Sequence, residues 1–172
     1  MLPISHPVSS DEPPLLVVHE FDGADAERDR ELEALWFSLC TPEFRPVVFV
    51  PVPDVTGVEV LQLCSRLATS GAVIQGGGVV VVDALGVGPA EIAPASLLLH
   101  RLADIHQHML IVVESPVAEP ASLPIVRACG RVALVVGLDR SRLSEVAAMC
   151  RLAPDEIFGV VCVDPKLHQP PV

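Results

Sequence analysis

The sequence predicts an α/β fold: a doubly wound, mostly parallel sheet flanked by helices. Three observations lead there. Half of the 172 residues are apolar, enough for a sizeable core. Aromatic side chains are scarce, with one Trp, five Phe and no Tyr, so Val, Leu, Ile and Ala must build that core. Finally, solid Val/Ile runs recur at regular intervals with amphipathic segments between them. This is the pattern of strands buried on both faces by crossover helices.

The elements follow in order. Residues 1–14 hold Pro3, Pro7, Pro13 and Pro14 among Ser and acids, and read as a flexible arm. The single domain then spans 15–164. Leu15 to Val18 offers a short edge strand. Ala26 to Cys40 reads as a helix, with Leu32, Leu35, Trp36 and Leu39 at helical spacing and Pro42 as its stop. Val47 to Val52 is a continuous apolar strand, and Thr56 to Ser70 a helix with Val60, Leu63, Cys64 and Leu67 on one face. Gly76-Gly77-Gly78 makes a turn into the strand Val79 to Val82, which ends at Asp83. This triple glycine precedes a strand, whereas anion-binding glycine loops precede helices. A helix from Ala95 to Ile105, a strand from Met109 to Val113 ending at Glu114, and a short helix from Leu123 to Cys129 come next. Val132 to Val136 is a strand, Arg140 to Leu152 a helix closed by Pro154, and Ile157 to Val163 the last strand. Residues 165–172 form a Pro-rich tail.

Charge and cysteine usage narrow the class. The formal net charge is −11, from 22 acids against 11 Lys plus Arg. Such a chain is repelled by nucleic acid and by anionic membrane surfaces, and suits a basic protein partner. Cys40, Cys64, Cys129, Cys150 and Cys162 are scattered, with no Cys-x-x-Cys, and read as reduced buried thiols of the cytoplasm. No apolar run approaches the ~20 residues of a membrane span. The start, Met1 to Asp11, lacks a basic region followed by an apolar run, so no secretory signal and no direct membrane insertion are expected.

In a doubly wound sheet, ligands bind beyond the carboxyl ends of the strands. Those ends carry Pro51 to Gly57, Asp83 to Gly88, Glu114 to Pro116, Gly137 to Arg140, and Asp164. Three segments there carry the argument: Pro51-Val52-Pro53-Asp54-Val55-Thr56-Gly57-Val58-Glu59 after the first core strand, Asp83-Ala84-Leu85 after the second, and Glu114-Ser115-Pro116 after the third. With the helix around Glu33, Trp36 and Leu39 in front, their order resembles the bacterial tyrosine kinases of capsule and exopolysaccharide synthesis. Those kinases belong to the P-loop ATPases that include the partition and septum-positioning proteins. The resemblance covers roughly residues 31–163 and rests on the order of parts more than on identities. It implies a P-loop-like three-layer sandwich.

The resemblance also shows what is missing. A phosphate loop ends in Gly-Lys-Ser/Thr, whose lysine neutralises phosphate charge and whose hydroxyl holds magnesium. Gly57 stands at the last glycine, Val58 at the lysine and Glu59 at the hydroxyl. Glu59 and Asp54 add negative charge, and Pro51 and Pro53 remove N–H donors. Lys166, the only lysine, lies beyond the last strand. The family's second acid after Asp83 is replaced by Leu85, Glu114 stands for an Asp, and no Tyr exists to be phosphorylated. The family's helix motif Glu-x-x-Arg-x-x-Arg becomes Glu33, Trp36 and Leu39, so an ionic subunit contact gives way to a hydrophobic one or to packing on the chain's own domain.

The expectation is therefore a non-catalytic pseudokinase or pseudo-ATPase with no cofactor, no metal and a degenerate loop at Pro53, Asp54, Thr56, Gly57, Val58 and Glu59. The resemblance implies docking to an inner-membrane polysaccharide copolymerase, with self-association as a further possibility. The alternatives are a scaffold related to the positioning ATPases and a metal-dependent enzyme reworked around Asp83 and Glu114. His100, His106 and His108 beside Asp104 fit a metal or ordinary surface histidines. Ser115 lacks a neighbouring His for a hydrolase triad, and Arg140 and Arg142 suit pairing with acids better than clamping phosphate.

Overall fold

The computed structural model of the chain describes residues 16–23, 29–39 and 46–164. The expected arm and tail, and the ends assigned to the first helix at Ala26 and Cys40, lie outside these residues. Among the described residues six strands form one sheet: β1 (Val17–Phe21), β2 (Val47–Pro51), β3 (Val79–Asp83), β4 (His108–Val112), β5 (Val132–Gly137) and β6 (Ile157–Val163). Their order is β1-β3-β4-β2-β5-β6. β1 pairs with β3 antiparallel and every other pairing is parallel. The α/β class and the mostly parallel sheet are thus observed, and the edge strand expected from Leu15 to Val18 is placed at Val17–Phe21.

Among the described residues five α-helices lie between the strands: α1 (Arg30–Leu39), α2 (Gly57–Gln75), α3 (Ile92–Ile105), α4 (Leu123–Cys129) and α5 (Leu143–Leu152). Alternation along each strand sorts the core into two layers. Val47 and Phe49 of β2 face α1 and α2, with Val79, Val81, Leu110, Val112, Ala133 and Val135. Val48 and Val50 face the other way, toward Leu99 of α3, Ile125 of α4 and Met149 of α5. Burial on both faces explains the unbroken apolar runs of β2 and β3, whose Val side chains do not meet water.

Two expected ends move for packing reasons. α2 runs past Ser70 to Gln75, because Gly71 is needed inside the helix. A Cβ there would stand 2.4 Å from the ring of Trp36. The helix then ends at Gly76 in a left-handed conformation, φ 79°, with its N–H on Ala72 O. α5 begins at Leu143, three residues later than expected, after a turn in which Ser141 and Arg140 donate their N–H groups to Gly137 O.

Burial corrects the reading of α1. Trp36 is 0 % exposed and Leu39 4 %, so neither is a surface anchor. Trp36 lies against α2 at Gly71 and meets the His108 ring at 5.8 Å between centroids. Glu33 is half-buried, and its N–H donates to the Asp29 carbonyl at 2.9 Å. The cysteines divide too. Cys64 is buried, whereas Cys150 and Cys162 are exposed, so the expectation of uniformly buried thiols fails at the last two.

Candidate functional site

The loop leaving β2 enters α2 on one face of the sheet. The loops leaving its neighbours β4 and β5 enter α4 and α5 on the other face. The chain therefore parts at the carboxyl end of β2, which makes the crevice where such sheets bind ligands. Gly57, Glu59, Leu85, Glu114 and Arg140 converge there.

The backbone donors of the loop are the first test of what it can hold. Pro51 and Pro53 have none. Val52 donates to Val135 O at 3.0 Å, and Val55 donates to Val52 O at 2.8 Å. The side chains of Val52 and Val55 turn inward, 0 % and 3 % exposed, and plug the loop with apolar atoms. Thr56 is the N-cap of α2. Its N–H donates to Glu59 Oε2 at 2.8 Å, and Glu59 N donates to Thr56 Oγ1 at 3.2 Å. This reciprocal capping box satisfies two donors that an anion would otherwise take. The Thr56-x-x-Glu59 spacing is the sequence signature of such a box.

Glu59 is thus the anion at this helix N-terminus. The Thr56 N–H, the Thr56 hydroxyl and Arg140 hold its carboxyl below the usual carboxylate range, against the opposing effect of partial burial. Arg140, from the loop after β5, reaches across to Glu59 Oε1 at 3.1 Å. Both side chains remain about a third exposed, so the pair contributes on the order of 0.5 kcal/mol. The pairing of Arg140 with an acid was expected, but its identity was not, because the two residues lie on different crossovers.

The facing wall is apolar and acidic. Gly57 is packed so closely that a Cβ would lie 2.4 Å from Leu85 Cδ2 and 3.3 Å from Glu114 Oε1. Leu85 therefore rests on the first turn of α2. Asp83 turns its carboxylate back on its own loop and accepts the Leu85 N–H at 3.0 Å. Glu114 is pushed above the usual carboxylate range, first by burial and then by Asp83 and Glu119. Ser115 is buried and donates its hydroxyl toward Met149 Sδ at 3.8 Å. Asp54 and Val58 stand exposed on the rim.

The expected acids Asp83 and Glu114 are brought together, but among the described residues no group of three His, Cys, Asp or Glu is disposed to hold a metal. The histidines separate. His108 begins β4 beneath Trp36, where burial lowers its pKa, while His100 sits on α3 with Nδ1 2.7 Å from Ser96 O. No helix among the described residues is long and apolar enough to cross a membrane.

Comparison with protein-family models, with curated proteins and with solved structures finds no match.

Proposed function

We propose that this chain is a non-catalytic binding protein on a P-loop-like plan, a pseudo-ATPase in which the phosphate site has been filled by its own side chains. The observation that supports this most is the position of Glu59. Its carboxylate takes the Thr56 N–H, and its other oxygen takes Arg140, where a phosphate loop would present free donors and a lysine. Leu85 against Gly57 occupies the adjoining volume. A triphosphate would have to displace an internal ion pair and then lie beside Glu59, Asp83 and Glu114. Each carboxylate at ~4 Å opposes it by about 1 kcal/mol even in bulk water.

With no nucleotide chemistry to preserve, the fold serves through its surfaces. The resemblance to the polysaccharide tyrosine kinases supports a place in capsule or exopolysaccharide synthesis or export, docked to an inner-membrane copolymerase. Calorimetric titration of the full chain with Mg-ATP and Mg-ADP tests the central claim. No saturable heat is expected up to about millimolar nucleotide. A Kd near 1 μM, roughly 8 kcal/mol of binding free energy, would overturn it.

A further inference from the structure

β6 ends the sheet with its outer side unpaired among the described residues, and it is the longest strand. Natural edges of this kind are protected by Lys, Pro, brevity or a covering element. From Ile157 to Val163 β6 carries no charge and no proline. Its one irregularity is a bulge near its start, between the partners Val132 and Ala133, which leaves Gly159 to Val163 in regular register. Val163 accepts the Leu138 N–H on the β5 side, so strand alternation turns the backbone N–H and C=O of Val160 and Cys162 outward. Their side chains are exposed, Val160 at 53 %.

Along this edge runs a groove of about 400 Å³ between β6, α1 and α2, lined by every residue from Val160 to Asp164. Leu35, Leu63 and Val163 give it apolar walls, and Asp29, Glu31 and Asp164 bring acids to it. Arg66 is its one cation among the described residues, and it is engaged by Asp29 at 3.0 Å. β1, at the other edge, carries His19 and Glu20 instead of an uncharged run.

From this we propose that the outer edge of β6 is a docking site for an extended, basic segment of a partner protein, which adds to the sheet as a seventh strand. Main-chain bonds to Val160 and Cys162 supply the ladder. Alternate Lys or Arg side chains enter the groove, lay their stems along Leu35, Leu63 and Val163 and meet Glu31. The intervening apolar side chains lie on the opposite face of the sheet beside exposed Val160. Complementary charge selects this occupant. The groove is acidic on a chain of net charge −11, which favours a basic segment and disfavours a second copy of the chain itself. The proposal rests on the binding-protein reading and assigns it a surface.

The test uses the full chain and a fluorescein-labelled peptide of alternating valine and arginine. Saturable binding is expected, with slowed hydrogen exchange at the Val160 and Cys162 amides. The same peptide with its central valine replaced by proline, or with glutamate for arginine, should bind roughly tenfold more weakly or worse. Val160→Pro removes an outward N–H while sparing the ladder to β5, and should weaken binding to a similar degree with the thermal transition retained. Equal binding of the three peptides, or no protection at Val160 and Cys162, would overturn the proposal. So would a dimer in sedimentation whose β6 amides are already protected and which Val160→Pro dissociates, since the occupant would then be a second copy. Nucleotide binding in the calorimetric titration would sink the non-catalytic reading and leave this result standing. Failure of the peptide with no nucleotide binding would sink the surface alone.

Discussion

Glu114 and Glu59 are carboxylates at the same crevice with opposite electrostatic settings. Glu114 has an acid on either side, Asp83 and Glu119, and is partly buried, so its proton is held more tightly than in the unfolded chain. Raised in the fold, its pKa makes ionised Glu114 a destabilising group. The cost is absent below the unfolded pKa of 4.5 and grows as pH rises through the folded value. Glu114→Gln keeps the shape and removes the charge. Its Tm should exceed that of the parent near pH 7, and the two should coincide at about pH 4, where both states of the parent are protonated. Thermal unfolding at the two pH values checks this, and an unchanged or lower Tm near neutrality would show that Glu114 is stabilised by a contact that outweighs its neighbours. Glu59 has the reverse sign. Its lowered pKa adds stability above 4.5, and that stability is lost as pH falls through the folded value.

The first turn of α2 satisfies its own backbone. A helix N-terminus needs acceptors for its free N–H groups, and Thr56 with Glu59 supplies them from within. Thr56→Ala should therefore cost about 1 kcal/mol in urea unfolding with an unchanged m-value. A negligible loss would mean that the box is not formed in solution. Which elements exist was legible, because runs such as Val79 to Val82 admit few alternatives once both faces must be apolar. The ends of α2 and α5 were less so. The expected helix stops at Ser70, yet Gly71 lies inside α2, where Trp36, from another helix, leaves room for nothing larger. The same long-range contact turned Trp36 from a candidate interface anchor into core. Within the site, the sequence shows directly that Val58 and Glu59, and no lysine or hydroxyl, follow Gly57. The ion pair of Glu59 with Arg140 and the seat of Leu85 on Gly57 depend on how crossovers converge, which sequence separation does not encode.

At the scale of the whole molecule the dominant electrostatic fact is imbalance. Twenty-two acids face 11 Lys plus Arg, and the ion pairs Arg66–Asp29 and Arg140–Glu59 are both partly exposed. Partly exposed pairs contribute at most about 1 kcal/mol each and are weakened by salt. Net repulsion of −11 acts over the entire surface, and it is relieved when the chain unfolds and its charges move apart. Screening should therefore remove more repulsion than attraction. The Debye length falls from about 30 Å at 0.01 M salt to about 10 Å at 0.1 M, short of the span of the folded domain. Raising NaCl across that range near pH 7 should increase Tm by a few degrees, since about 1 kcal/mol corresponds to roughly 2–4 °C at this size. Differential scanning calorimetry in NaCl and in choline chloride separates screening from specific ion binding, because only screening gives the same slope in both. A fall in Tm with salt would mean that local pairs outweigh the global field. It would also undercut the charge argument for a basic partner, since the surface would then be internally neutralised where it matters.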